Sequence, residues 1–194
     1  MRLPRAFEDS IPVAMSAFET ESEPAQPWKA LDCPTREQEE TEWCWAACGQ
    51  AVRRFHRPAE TVEQCEVARR VKGKVCCGFE RSICNKADVL AIALFKMDHL
   101  REPIVFGTMD FDDIYDDISA ADPHPIGCFI DYADNKLDHF VLIIAAGVVA
   151  GRQCVGVVDP LKGREHTTPV EIEYSAFKGY QKGTWAESYR TKRA

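Results

Sequence analysis

The apolar residues of this 194-residue chain change their spacing near Pro125, and this change constrains the fold more than any other feature. Before Pro125 they recur at steps of three and four, as on one face of an α-helix; after it they alternate or run continuously, as in β-strands. Helices that precede strands along a chain are typical of an α+β domain. We therefore predict a helical first half, an antiparallel sheet in the second half and a cleft between them.

The most informative helical segment begins at Cys44. Its apolar stripe consists of Trp45, Cys48, Val52 and Phe55. Thr41 or Glu42 is expected to cap or charge the first turn, and Pro58 should end the helix soon after His56. A thiol in the first turn gains thiolate character from the unpaired amides and the positive end of the helix dipole. The alternative is a core cysteine, since free cysteines are among the most often buried residues.

Three strand-like segments follow Pro125: Ile126–Tyr132, His139–Ala146 and Val155–Asp159. Glycines at 147 and 151 suggest that the last two form a hairpin centred on Val149, so that residues whose numbers add to 298 face each other. His139 then lies opposite Asp159, at a distance that allows contact. Asp138 should point to the other face of the sheet. The alternative is a buried histidine whose carboxylate partner is purely structural.

In chain order, Gln38, Cys44, His139 and Asp159 supply a candidate oxyanion donor, a nucleophile, a base and a group that orients the base. Around them the sequence resembles the papain-like cysteine peptidases, in particular the bacterial branch that includes secreted effector proteases and bacteriocin-leader peptidases. The resemblance rests on Gln38, Trp43-Cys44-Trp45-Ala46-Ala47, His139-Phe140-Val141-Leu142 and Val158-Asp159-Pro160, with weaker echoes in Cys76-Cys77, Cys84-Asn85, Tyr180 and Trp185. Many papain relatives have Asn where this chain has Asp159, and the Asp matches the bacterial branch.

The resemblance implies a cysteine peptidase that acts on proteins or peptides through a Cys-His-Asp triad, with Gln38 as oxyanion donor and with no metal or cofactor. Two alternatives stay open. An acyl transferase or transglutaminase could use the same triad with an amine in place of water. An inactive binding module could keep the papain-like fold and use the cleft for recognition alone.

Residues 1–30 are predicted to form a flexible arm or a pro-segment ahead of a catalytic domain at residues 31–194. The arm is rich in proline and carries an acidic stretch, Glu19–Glu23, with few apolar residues in either period. The net charge of −7 argues against affinity for nucleic acid or for an anionic membrane. Without a Sec signal or a membrane-spanning run, we expect a cytoplasmic protein or one exported by another route.

Nine cysteines are many for this length. Cys128 and Cys154 lie in strand segments and are expected to be buried and inert. The cluster Cys65, Cys76, Cys77 and Cys84 could hold zinc, form disulfides or stay reduced. Neighbouring cysteines cannot easily bond each other, so any bridge from Cys76 or Cys77 should run to Cys65 or Cys84.

Two further helices are predicted, at Lys86–Leu100 and Asp110–Ala121. The second should turn a solvated acidic face outward, rather than bind calcium, with Asp112, Asp113, Asp116 and Asp117. The four remaining histidines show no pairing that assigns them a role: His56, His99, His124 and His166.

Overall fold

The computed structural model describes residues 25–133, 138–161 and 168–194. Residues 1–24 of the predicted arm and His166 lie outside these ranges. The described helices are α1 (Cys44–His56), α2 (Gln64–Lys72), α3 (Arg81–Cys84), α4 (Leu90–Lys96), α5 (Phe111–Ser119) and α6 (Tyr174–Phe177), with short 3-10 turns at Gly78–Glu80 and Tyr180–Lys182. None of the helices in these ranges has the length and apolar character needed to cross a membrane.

The described strands are β1 (Lys29–Ala30), β2 (Val105–Phe106), β3 (Ile126–Asp131), β4 (His139–Val149), β5 (Arg152–Val158), β6 (Val170–Glu173) and β7 (Thr184–Arg190). They form one sheet in the order β2-β7-β3-β4-β5-β6, and β1 adds to β4. All pairings between these strands are antiparallel. The predicted α+β arrangement, helical first and sheet second, is confirmed.

Helix α1 is the centre of the helical half and packs against β4, α2 and α4. Its predicted stripe is buried at Trp45, Cys48 and Val52, and half-buried at Phe55. A Cβ on Gly49 would lie 3.1 Å from the terminal methyl of Met97, so the glycine lets α4 approach α1 closely. As predicted, α1 ends at His56, two residues before Pro58.

The predicted cap of α1 is wrong. The residue that precedes the helix is Trp43, with no side-chain cap, and the first turn holds no acidic residue. Glu42 instead donates its backbone N–H to the Asn85 side chain at 2.9 Å, and the Asn85 amide donates to the Thr41 hydroxyl at 3.0 Å. The two expected capping residues are therefore held by the segment after α3, and the start of α1 stays without a competing carboxylate.

The predicted register of the β4–β5 hairpin is also wrong. The turn has two residues, Ala150 and Gly151, both with positive φ (49° and 76°), and Val149 pairs with Arg152. Such a turn matches the twist of the flanking strands. Gly147 is within β4 instead, because a Cβ there would lie 2.4 Å from the Cα of Trp28, where the segment before β1 crosses it. The glycine that suggested a loop thus serves a close backbone approach.

The four clustered cysteines form two disulfides, Cys65–Cys77 and Cys76–Cys84. Both bridges run outward from the neighbouring pair, as the geometry of adjacent cysteines requires. They tie the loop after α2 to α2 and α3. Because all four thiols are consumed, the zinc and reduced-thiol alternatives do not apply.

Helix α5 has the expected inward face of Phe111, Ile114 and Ile118, but its acidic face is not wholly solvated. Asp117 is buried and binds Arg101 at 3.1 Å and Arg190 at 2.7 Å. Burial of a carboxylate needs such cationic partners. Asp117 therefore fastens α5 to the end of β7, a role that its helical position did not predict.

Candidate active site

Cys44 is the first residue of α1 and lines the cleft between the helices and the sheet. The tryptophans on either side of it are anchored by their indole N–H groups. Trp43 donates to the Cys84 carbonyl at 2.9 Å, and Trp45 donates to the Lys86 carbonyl at 3.3 Å. These anchors hold the thiol at the start of the helix, where unpaired backbone amides favour an anion.

His139 is the first residue of β4 and contacts Asp159, just beyond the end of β5. The ring Nε2 and a carboxylate oxygen of Asp159 are 2.7 Å apart, and both side chains are buried. The predicted contact is therefore present, although its reason differs. The observed register pairs Leu142 with Val158, so Asp159 is not directly opposite His139. The two side chains meet past the end of the paired strands.

Asp159 accepts three further hydrogen bonds that fix its carboxylate. The Leu161 backbone N–H donates at 2.9 Å, the Tyr180 hydroxyl at 2.9 Å and the Gln181 side-chain amide at 3.2 Å. The sequence indicated Tyr180 only as a weak part of the family resemblance, and it did not indicate Gln181. No local pattern could have found Gln181, because it comes from a separate 3-10 turn and has a left-handed backbone, with φ of 50°.

Opposing effects set the charge of His139. Burial alone would lower its pKa, but hydrogen bonds to Asp159 and to the Cys44 side chain, with the charge of Asp159, raise it to about 9. Burial would raise the pKa of Asp159, and the hydrogen bond and charge of His139 lower it instead. The pair therefore favours an imidazolium beside a carboxylate at neutral pH. Cys44 contributes to the raised pKa of His139 and lines the same cleft.

Gln38 lines the same cleft as Cys44 and His139. Its backbone N–H donates to the Pro160 carbonyl at 2.9 Å, which ties this segment to the turn that carries Asp159. Its side-chain nitrogen lies 2.9 Å from the Glu40 carbonyl and 2.7 Å from the Thr41 carbonyl. The structure thus brings Gln38, Cys44 and His139 to one cleft, and Asp159 is buried in contact with His139. The Gln38 amide is bound to its own loop.

The cleft has a volume of about 1100 Å³. Its wall on the helical side includes Glu42, Trp45 and Asp88, and its wall on the sheet side includes Phe129, Phe140, Glu187 and Tyr189. Asp138 is exposed and lines this cleft as well, without a contact to His139 among the described residues. A cleft of this volume can hold part of an extended peptide next to Cys44.

The other free cysteines are in a different environment from Cys44. Burial raises the pKa of Cys33, Cys48 and Cys128, which have no histidine partner among the described residues. Cys48 is one turn after Cys44, and its thiol lies 3.4 Å from the Phe140 carbonyl. These thiols are structural, as expected for Cys128, and Cys44 alone joins a helix start to an imidazole.

No protein-family model matches the sequence, and no curated protein matches it. Solved structures do match. Procathepsin L 3 of the Tenebrio molitor larval midgut aligns with a TM-score of 0.53 and 11% identity over 89% of this chain and 72% of its own. A structure from a study of the mite allergens Blo t 1 and Der p 1 aligns with a TM-score of 0.50 and 14% identity, over 91% of this chain and 74% of its own.

These similarities show the fold, since the identities are low. The chain has the fold of the papain-like cysteine peptidases, with helices in its first half and an antiparallel sheet in its second half. The predicted division between a helix that carries the cysteine and a sheet that carries the histidine fits this fold. Activity, branch and residue roles do not follow from a fold alone.

Proposed function

We propose that the protein is a cysteine peptidase that hydrolyses peptide bonds with Cys44, His139 and Asp159. One observation carries the proposal: Cys44, at the start of α1, lines one cleft with His139, which Asp159 holds through a contact of 2.7 Å. Fold similarity alone would not require this arrangement in a chain with so little sequence identity. A nucleophile next to a base, with the base held by a third group, is the geometry that covalent acyl transfer needs.

The reaction proceeds in two halves. The Cys44 thiolate attacks the scissile carbonyl carbon, and a C–S bond forms as the oxygen takes the negative charge. The carbonyl re-forms, the C–N bond breaks, and the His139 imidazolium gives its proton to the leaving amine. Neutral His139 then takes a proton from water as the hydroxide attacks the thioester. The C–S bond breaks, and the carboxylic acid product and the thiolate–imidazolium pair remain.

In this proposal Gln38 and the Cys44 backbone amide stabilise the oxyanion. The Gln38 side-chain nitrogen carries two hydrogens, and the carbonyls of Glu40 and Thr41 lie within reach of it. One hydrogen must therefore turn towards the oxyanion when substrate binds. Gln38→Ala should lower kcat by about 10²–10³-fold with little change in KM, the loss typical of one oxyanion donor. A change confined to KM would make Gln38 a binding residue.

The alternatives of acyl transfer and of an inactive binding module are separated by experiment. The inactive module is disfavoured because Cys44 and His139 line one cleft and the His139–Asp159 contact is intact. Acyl transfer uses the same contacts and is distinguished by its product alone. Membership of the bacterial branch stays a prediction that rests on Asp159 and on the segment from Gln38 to Ala47. The two disulfides favour the exported alternative over a cytoplasmic one, because disulfides persist in oxidising compartments.

The direct test combines labelling with digestion. Iodoacetamide near neutral pH should alkylate Cys44 at least about 10-fold faster than the other free cysteines, because it alone has a base and a helix start. A peptide mixture should be cleaved by the native protein and left intact by Cys44→Ala, with Cys48→Ala as the matched control that keeps activity. Equal labelling of the free cysteines, or cleavage by Cys44→Ala, would contradict the covalent mechanism. Products that carry an added amine in place of a new carboxylate would show acyl transfer.

A further inference from the structure

The cleft has an uneven distribution of charge. Among the described residues that line it, none is a lysine or an arginine and five are acidic: Glu42, Asp88, Asp131, Asp138 and Glu187. Within the described part of the chain, only Asp88 has an ion-pair partner, Lys72 at 2.6 Å. Among the described residues, these carboxylates outnumber the one cation that lines the cleft, the His139 imidazolium, and so favour a negative potential towards a peptide that approaches Cys44.

Glu187 has a setting that the other carboxylates lack. It pairs with Phe129 across β7 and β3, and Phe129 pairs with Phe140 across β3 and β4. Directly opposed residues share a face, so the carboxylate and the two rings lie in a row across three strands. The rings of Phe129 and Phe140 are 5.2 Å apart, and the ring of Tyr189 is 6.2 Å from that of Phe140. Glu187 is thus a half-buried carboxylate beside an aromatic group.

One hydrogen bond prepares this carboxylate for a ligand. The Tyr189 hydroxyl donates to one Glu187 oxygen, and burial together with that bond raises the pKa of Tyr189, which keeps it a neutral donor. The bond fixes the carboxylate, and the described residues offer no cation to neutralise it. A carboxylate left without a cation in a partly buried position is costly unless a ligand supplies one.

We propose that this group, Phe129, Phe140, Glu187 and Tyr189, is a subsite for a basic side chain of the substrate, and that Glu187 determines specificity. The inference rests on the proposed peptidase function. Arginine fits the chemistry best. Its methylene stem packs on the phenylalanine rings, its guanidinium face is attracted by an aromatic face, and its N–H groups reach the carboxylate. Leucine or phenylalanine would fill the aromatic space and leave Glu187 desolvated without a partner.

The substrate class that follows is a peptide or protein with arginine, or with lysine at lower rate, close to the scissile bond. Lysine would give one point contact where arginine gives a planar fork. Asp131 and Asp138 lie nearer the open rim and are exposed, so they would steer basic peptides to the cleft more than they would select one side chain.

The test uses peptides that are identical except at one position, which carries arginine, citrulline or leucine. Citrulline has nearly the shape of arginine and no charge. For the full-length protein, kcat/KM for the arginine peptide should exceed that for the citrulline peptide by about 10- to 100-fold, the range expected for a charge-assisted contact. Glu187→Gln should remove most of this preference by lowering the rate for the arginine peptide towards the rate for the citrulline peptide, because glutamine can still accept from Tyr189 but carries no charge. Asp116→Asn, an equal charge change on an exposed residue outside the cleft, should leave it intact.

Binding to Cys44→Ala separates the two proposals. If the native protein cleaves none of the peptides, peptidase function fails, and titration of the three peptides into Cys44→Ala still decides the subsite. Tighter binding of arginine that is lost in Cys44→Ala/Glu187→Gln supports it. Equal rates or affinities for arginine and citrulline at every position tried, or an arginine preference that Glu187→Gln preserves, would overturn the subsite while leaving peptide hydrolysis intact.

Discussion

Two buried histidine sites in this protein hold opposite charge states. His139 lies against the Asp159 carboxylate at the cleft, and its pKa is raised. His56, His99 and His124 pack together below the end of α1, with ring centroids 5.0 Å and 5.4 Å from that of His56, and their pKa values are lowered. All four side chains are wholly or largely shielded from water, so burial alone cannot explain the difference.

The neighbouring charged groups explain why the pKa is raised at one site and lowered at the other. Burial lowers the pKa in both sites, but at the cleft the Asp159 carboxylate, 2.7 Å away, outweighs it together with Cys44. In the cluster, burial is reinforced for His56 by the other two rings and by Arg193, and Asp122 opposes it only in part, so its pKa falls to about 4. Arg53 and Arg57 act on His99 in the same direction, while the Lys192 carbonyl and Asp98 oppose them.

His124 is the third histidine of the cluster. Burial and the charges of Arg101 and Arg193 lower the pKa of His124, against Asp122 and Asp117. The Nδ1 atoms of His56 and His124 have no hydrogen-bond partner among the described residues. The cluster is thus an uncharged packing site, whereas His139 is held charged where proton transfer is needed. A histidine in a buried position takes its role from the charges around it.

The largest effect on activity is expected when a histidine of each site is replaced. His139→Gln should lower kcat/KM by about 10³-fold or more, because it removes both the proton donor and the thiolate partner. His99→Gln, an equal change in the cluster, should leave kcat/KM within about twofold, since His99 touches no reacting atom. Steady-state peptide hydrolysis measures both. Comparable losses of kcat/KM in the two variants would contradict a catalytic role that belongs to His139 and not to His99.

The next effect removes the carboxylate that distinguishes the sites. Asp159→Ala should lower kcat/KM by about 10²-fold, because His139 loses the partner that orients it and raises its pKa. On the alkaline side of its pH–rate profile, the activity of this variant should fall at a lower pH than that of the native protein. Asp138→Ala, next to His139 in sequence, should have little effect on either quantity. The reverse ranking of the two variants would show that Asp138 orients the base.

A smaller effect is expected at Tyr180, which contacts Asp159 and not His139. Tyr180→Phe removes the hydroxyl that donates to Asp159 at 2.9 Å and leaves the bonds from Leu161 and Gln181 in place. Loss of one such bond should lower kcat/KM by about 3- to 10-fold. The profile of kcat/KM against pH should shift in the direction seen for Asp159→Ala. An unchanged rate and profile would show that the Tyr180 hydroxyl does not position Asp159.

The smallest effect concerns stability in acid. Because the folded pKa of His56 lies below its unfolded value, the unfolded chain binds a proton first as the pH falls from about 6.5 towards 4. The native protein should therefore lose stability over that range. His56→Gln should reduce the loss at pH 5 by about 1 kcal/mol, measured by urea unfolding at pH 7 and pH 5. An identical pH dependence in the two proteins would contradict a neutral His56.

The sequence anticipated the parts of the site that depend on local patterns. The helical stripe after Cys44 and the apolar run after His139 both reflect burial, which a period reveals directly. The meeting of His139 with Asp159 was predicted through a register that proved wrong. Gly147 looked like a turn residue, but its missing side chain accommodates the backbone of Trp28. A single sequence does not distinguish these two uses of glycine.

Other features depend on residues far apart in the chain. Gln181 reaches Asp159 from a turn 22 residues later, and the histidine cluster joins α1 to the segment that follows α4 and to the chain before β3. Helical spacing assigns Asp117 to the solvent-exposed face, but Asp117 is buried and forms ion pairs with Arg101 and Arg190. Such contacts arise from tertiary packing and leave no periodic signal. Pairing of Cys65 with Cys77 was foreseen only as one option among several.

Asp159, together with Cys44, keeps His139 charged against the effect of burial. An NMR titration of the histidine side chains tests it most directly, with resonances assigned through His139→Gln and His56→Gln. We expect the His139 resonance to stay in the imidazolium form at pH 7 and to titrate near pH 9, and we expect Asp159→Ala to lower this midpoint. His56 should stay neutral down to about pH 4. A neutral His139 at pH 7 in the native protein would show that Asp159 does not hold it charged.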